Sequence, residues 1–264
     1  MNLKGKVIII TGSSRGIGRQ LALNLAKEGA MVVLNGRNKE RLEQTRLDFE
    51  LKGYLVTAIA ADVSSYNECV RMTEEVVKTY GRIDVVVNNG SLTVNSAITD
   101  LSPTIFKEVI DSNIYGAAFP TIAALPYLKL SQGSVVLISS LAGLHSMPSA
   151  SAYSIGKMGL TALWQSLQIE CAQEGIHVGI AYLGFTQNDP NKTMLNGKGD
   201  GVPVPKRPAL FLQTQEKVAN KLVNMIKRRR KRKVFSFLGG FASIMFRFLP
   251  GLTLVIIKQS QKNK

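Results

Sequence analysis

Cysteine and histidine are scarce in this chain, with two of each among 264 residues. Cys69 and Cys171 stand in separate helix-like stretches without partners at metal-ligand spacing, and His145 and His177 are equally isolated. That excludes a disulfide framework and leaves no residues for a metal site. No apolar leader opens the chain, which points to a reducing compartment. Repeats of solenoid period are missing, as is any linker-like stretch before about residue 184. Acidic residues are few as well: 18 Asp or Glu stand against 33 Lys or Arg, for a net charge of +15. The imbalance is local. Residues 214–264 hold 13 Lys or Arg against Glu216 alone, which leaves only +3 for the other 213 residues.

The longest apolar stretch also lacks continuity. Val234–Ile257 carries one charge in 24 residues, but that charge, Arg247, and Pro250 interrupt it near the middle, and Gly239-Gly240 loosens its start. A spanning helix needs about 20 apolar residues in a row. Two short helices dipping into one leaflet fit better, with the seven consecutive basic residues Lys227–Lys233 drawn to anionic head groups. A basic run also attracts nucleic-acid phosphates, but nucleic acid has no use for the apolar segment that follows. The expectation is therefore peripheral contact with an anionic membrane at its cytoplasmic face, and no nucleic-acid partner.

What is present is a rhythm. Short runs rich in β-branched residues, such as Lys6–Thr11, Ala30–Asn35, Tyr54–Ala60 and Asp84–Asn88, alternate with helical patterns of about a dozen residues. Ser134–Ser139 and His177–Tyr182 continue the series around a long helix over 151–174. Continuous apolar strands separated by helices are the pattern of a parallel sheet covered on both faces, an α/β domain. Pro103 sits well at the first turn of a helix capped by Ser102, and Pro126 marks the far end of the next helical region. Residues 185–213 lose the rhythm and read as a flap, and Glu216–Arg229 is helical again. Val234–Leu238 reads as a closing strand, with the remainder covering a pocket or lying at a membrane as an apolar ledge beside the mouth of the site.

Thr11-Gly-Ser-Ser-Arg-Gly-Ile-Gly18 ends the first strand and opens a helix. Gly12, Ser14, Gly16, Ile17 and Gly18 let backbone amides approach a pyrophosphate at the helix N-terminus. At the tip of the second strand, where a carboxylate would bind an adenosine ribose, stands Asn35-Gly36-Arg37. Arg37 and Arg15 are both placed to meet a 2′-phosphate, which favours NADPH/NADP+ over NADH. Asp62 and Val63 are candidates for the adenine, and Asn88, Asn89 and Gly90 end the fourth strand at the ligand-binding edge. Tyr153 and Lys157, four apart on one helix face, follow Ser140 at the end of the fifth strand. In carbonyl reduction Tyr153 gives the proton, with Lys157 expected to lower its pKa and bind the nicotinamide ribose. Ser140 holds the oxygen, and Asn113 links to Lys157 through backbone or water.

These motifs, in this order, resemble the short-chain dehydrogenase/reductase family over about residues 5–235. The resemblance rests on the 11–18 turn, Asp62-Val63, Asn88-Asn89-Gly90, Asn113, Ser140 and Tyr153-Ser-Ile-Gly-Lys157. It implies a Rossmann-like, doubly wound, seven-stranded parallel sheet, with Asn113, Ser140, Tyr153 and Lys157 as the catalytic tetrad. It also implies pairing into a homodimer or homotetramer through the helices near 104–126 and 151–174. The usual Asn-Asn-Ala-Gly becomes Asn88-Asn89-Gly90-Ser91, and the usual Pro-Gly becomes Leu183-Gly184. Gly184 still turns beneath the nicotinamide, and Thr186 resembles the family's carboxamide-contacting threonine. On this reading residues 1–235 form the reductase domain, with 185–213 as its lid, and 236–264 an apolar and basic tail. The tail resembles those of members that reduce ketones on steroids, sphingoid bases or acyl chains, so a lipophilic ketone or alcohol is the expected substrate, walled by His145, Met147 and Pro148. The rivals are a soluble 3-oxoacyl-thioester reductase of fatty-acid-synthesis type and a non-catalytic scaffold or nucleic-acid-binding protein on the same fold.

Overall fold

A computed structural model describes residues 1–189, 192–206 and 212–262. Seven strands form one parallel sheet in the order β3-β2-β1-β4-β5-β6-β9. They are β1 (Val7–Ile10), β2 (Met31–Gly36), β3 (Val56–Ala60), β4 (Val85–Asn88), β5 (Ser134–Ser140), β6 (His177–Leu183) and β9 (Arg232–Val234). Strand order reverses between β1 and β4, so the carboxyl ends of these two strands open a crevice where a ligand can sit. The expected doubly wound sheet is the one observed.

Helices cover both faces. On one side α1 (Gly16–Lys27), α2 (Lys39–Glu50) and α7 (Gln215–Lys227) bury Leu21, Leu25, Leu42, Phe49, Val218 and Leu222 against Ile8, Ile10 and Val136. On the other, α3 (Tyr66–Tyr80), α5 (Gly116–Ser131) and α6 (Ser151–Glu170) bury Met72, Val76, Ala124, Leu128 and Leu160 against Ile9, Val86 and Val135. Because each inner strand meets apolar side chains above and below, its sequence reads as a continuous apolar run.

Four local expectations need correction. The closing strand is Arg232–Val234 rather than Val234–Leu238, so two of the seven basic residues enter the sheet. Charged residues suit an edge strand, and Arg232 lies over the Tyr182 ring at 5.4 Å. Ser236 then accepts a hydrogen bond from Gly239 N, which starts a helix where the strand was expected to continue. Second, α5 does not end near Pro126 but runs to Ser131 with Pro120 and Pro126 inside it. Packing of Ala124 and Leu128 outweighs the lost backbone bonds. Third, the helix expected near 104–126 is divided: α4 (Pro103–Ile110) and α5 are joined by a π-helical turn, Asp111–Tyr115, that carries Asn113. Fourth, Ser102 occupies the N-cap of α4 without a side-chain capping bond.

The flap holds a two-stranded antiparallel pair, β7 (Thr193–Leu195) and β8 (Gly201–Pro203), and residues 190–191 and 207–211 of it lie outside the described residues. The tail folds into two helices, α8 (Phe237–Phe248) and α9 (Pro250–Lys262). Among the described residues no helix is long and apolar enough to cross a membrane.

Candidate functional site

The turn after β1 is built by close approach. A Cβ at Gly18 would stand 2.4 Å from the Gly12 carbonyl oxygen, so only glycine lets α1 start this near the turn. Asn89 braces the same loop: its Nδ2 donates to the carbonyls of Thr11 and Gly12, both at 3.0 Å. The Thr11 hydroxyl accepts from the backbone N–H groups of Asn89 and Gly90, each at 2.9 Å. Asn88 instead ties β4 to α5, donating to the Thr121 hydroxyl at 2.9 Å.

This turn floors a cleft of about 740 Å³. Gly12, Ser14, Arg15, Gly16, Ile17 and Gly18 line it, as do Arg37, Asp62, Val63, Asn89 and Gly90. Ser140, Tyr153, Lys157, Gly184 and Thr186 line it too. Of the expected tetrad, Asn113 lies behind the wall, buried on the π-helical turn, where its Nδ2 donates to the carbonyls of Leu92 and Val109 at 2.8 Å. Its Oδ1 is buried and has no hydrogen-bond partner among the described residues.

At the reaction end, Lys157 is buried and its Nζ donates to the Ile138 carbonyl at 3.0 Å. The ammonium lies 5.7 Å from the centroid of the Tyr153 ring. Burial pushes Lys157 down to about 7. Burial also raises the Tyr153 phenol above its ordinary value, and a hydrogen bond with the Ser140 hydroxyl opposes it. Desolvation of the phenol prevails, against the expected depression by Lys157.

At the far end of the cleft, Arg37 stands 3.8 Å from the Asp62 carboxylate. Burial raises Asp62, but bonds from the Ser64 hydroxyl and backbone N–H, with the charge of Arg37, outweigh it and hold the carboxyl low. Thr186 turns its hydroxyl to the Gly184 carbonyl at 3.3 Å and pairs with Gln213, closing the base of the flap.

Of the expected wall only Met147 lines the cleft; His145 turns away to stack on Phe246. The cleft's apolar lining comes also from Leu92, Val94, Phe185, Met194 and Val204. Sequence reasoning missed these and the polar residues Arg41, Asn188, Asp189, Lys192 and Gln215. Most stand in irregular segments, where no periodicity marks a side that faces the cleft.

Residues 6–198 match the family description "short chain dehydrogenase". The chain belongs to the short-chain dehydrogenase family. Among curated relatives it is 38% identical over 192 residues to 11-beta-hydroxysteroid dehydrogenase 1A of Arabidopsis thaliana, a match covering 71% of this chain and 54% of that protein. The chain thus spans about half the length of such plant relatives. It is 27% identical over 255 residues to Dehydrogenase/reductase SDR family member 7B of Danio rerio, covering 94% of this chain and 82% of the relative. Among solved structures, an alcohol dehydrogenase of Thermococcus sibiricus complexed with 5-hydroxy-NADP superposes with a TM-score of 0.76 at 25% identity, covering 88% of this chain and 97% of that one.

Proposed function

We propose that this short-chain dehydrogenase is an NADPH-dependent oxidoreductase that interconverts a ketone and a secondary alcohol on a lipophilic substrate, with Tyr153 as general acid/base. The observation that carries the reading is that Ser140, Tyr153 and Lys157 open into the same cleft as the glycine-rich turn. The residues present fit a dinucleotide: small side chains at the start of α1 leave room for phosphates, and exposed Arg37, with Arg15 that has no ion-pair partner among the described residues, suits an added phosphate. The solved relative with a bound NADP derivative supports the same cofactor.

A bound nicotinamide dinucleotide would supply the hydride. The chain's own residues manage the oxygen. As negative charge grows there, the Ser140 hydroxyl donates to it and Tyr153 delivers its proton. A phenol raised above its ordinary value is fully protonated near neutral pH, which suits reduction. Lys157, poised near neutrality, can return a proton to Tyr153. The unpartnered Oδ1 of Asn113 provides an acceptor for a water feeding Lys157.

The apolar lining supports a lipophilic substrate, as do relatives named hydroxysteroid dehydrogenases. Exposed Phe241, Ile244, Phe248 and Leu252 on the tail helices, below the basic run, support peripheral seating on an anionic membrane. Exposed Tyr115 and Ile122, with Ile155 and Met158 on α6, support pairing between copies. The test is a screen of lipophilic ketones with NADPH in vesicles, reading cofactor oxidation, alongside Tyr153→Phe. The variant should lose turnover and keep NADPH binding; turnover that persists removes Tyr153 from the mechanism.

A further inference from the structure

The flap brings a cation to the cleft that the reaction as described leaves unused. Lys192 is half-buried and lines the cleft, yet among the described residues its ammonium makes no ion pair or hydrogen bond. Its position is fixed by its neighbours. The Lys192 backbone N–H donates to the Asp189 carbonyl at 3.0 Å. Asp189 Oδ1 in turn accepts from Gln215 Nε2 at 2.9 Å, and Oδ2 stands 3.4 Å from where a Cβ at Gly16 would lie. The flap is therefore moored over the first residue of α1, and Arg15 immediately precedes that residue.

The Arg15 guanidinium likewise has no acidic partner within ion-pair distance among the described residues. Burial pushes Lys192 below the ordinary lysine value, and the charge of Arg15 adds to this, with Asp189 opposing. Against these two cations the partly desolvated space holds the carboxylate of Asp189, already engaged by Gln215, so positive charge remains in excess there unless a further anion is bound. A lipophilic ketone brings no anion; a dinucleotide brings phosphates.

We propose that Lys192 is a phosphate-binding residue of this cleft, which with Arg15 clamps a phosphate of the dinucleotide from the flap side while the N–H groups of α1 hold it from the sheet side. The inference rests on the dinucleotide reading above and extends it to a residue outside the motifs that suggested it.

The test is titration of the full-length protein with NADPH and with NADH, for the native chain, Lys192→Met and Lys192→Arg. Lys192→Met should weaken NADPH binding about tenfold or more and make it less sensitive to salt, as expected for one lost charge-assisted bond. Lys192→Arg should restore most of the affinity. An equal loss for NADH assigns the clamp to the diphosphate, and a loss confined to NADPH assigns it to the 2′-phosphate. Melting of the dinucleotide-free protein separates a binding role from a structural one: removing an unpaired, half-buried cation should leave the midpoint unchanged or higher. Unchanged affinity for both dinucleotides, or a lowered midpoint without dinucleotide, overturns the proposal. If the native chain binds neither dinucleotide, the reading of the cleft itself fails, which is a different result.

Discussion

The imidazole of His145 lies flat against the ring of Phe246, with centroids 4.2 Å apart and planes 7° from parallel. His145 belongs to the loop between Ser140 and Tyr153, and Phe246 to α8, so the tail is seated on the loop that joins two residues lining the cleft. Beside this stack a Cβ at Gly239 would fall 2.3 Å from a methyl of Leu141, showing how closely α8 descends. Such a ring pair contributes about 1 kcal/mol beyond its buried area. Phe246→Ala should therefore raise KM for lipophilic ketones while leaving NADPH affinity unchanged. Steady-state kinetics with direct binding checks this. Deleting 236–264 should in addition abolish co-sedimentation with anionic vesicles.

Burial of Lys157 predicts a pH dependence of stability. Its pKa falls from 10.5 to about 7 on folding. Below that value both states carry the proton and the cost of burying the charge is felt in full. Between about pH 7 and 10 the unfolded chain holds more protons, so stability of the dinucleotide-free protein rises with pH. Lys192 and Lys221 are displaced downwards by burial in the same sense. Lys157→Met should accordingly flatten part of the rise, read as melting midpoints across that range.

Asp84 predicts the opposite limb. It accepts from Arg82 Nε at 2.9 Å and Nη2 at 2.6 Å, from Lys6 Nζ at 2.9 Å and from Val7 N at 3.0 Å, joining the starts of β1 and β4. Burial raises its pKa, but those bonds outweigh it and the carboxyl sits below its ordinary value. Its contribution is complete above the unfolded pKa and disappears as pH falls through the folded one. Asp84→Asn should cost about 1–3 kcal/mol near neutral pH, by removing the buried charge that half-exposed Lys6 and Arg82 meet, and should weaken the acid dependence of chemical denaturation.

Gly156 on α6 meets the π-helical turn, and a Cβ there would stand 2.6 Å from the Cβ of Asn113. Gly156→Ala should destabilise by about 1–3 kcal/mol through overpacking. It should also lower kcat more than NADPH affinity, since the displaced residue is Asn113 and not a lining group. Denaturation midpoints and a kcat against Kd comparison test both parts.

Arg37→Ala should narrow the preference for NADPH over NADH by about tenfold, the worth of one charge-assisted bond to the 2′-phosphate. Its pair with Asp62 is exposed and long, so stability should move little. An unaltered preference would take Arg37 out of cofactor selection.

Much of the fold was legible because a sheet buried on both faces writes itself as apolar runs, as Val85–Asn88 and Ser134–Ser140 do. The site's core was legible because glycines and a Tyr/Lys pair at fixed spacing carry geometric meaning. The seventh strand was misplaced because Val234–Leu238 has the better strand composition, while the pairing Ile180↔Arg232 is a backbone matter that side chains do not announce. Lys192 was invisible for a different reason. Its neighbours Asp189 and Gln215 are brought to it by the flap's path across the cleft, and nothing in an irregular stretch reports that path.

The pairing of β9 with β6 has a mechanical result. Phe235 N donates to the Tyr182 carbonyl at 2.9 Å, two residues before Gly184 and one residue before the α8 cap at Ser236. Load applied to the hydrophobic terminus, by a bilayer or by anything else that grips it, is therefore delivered to the strand whose exit, at Leu183 and Gly184, lines the cleft. A pull on the tail is a pull on the cleft wall.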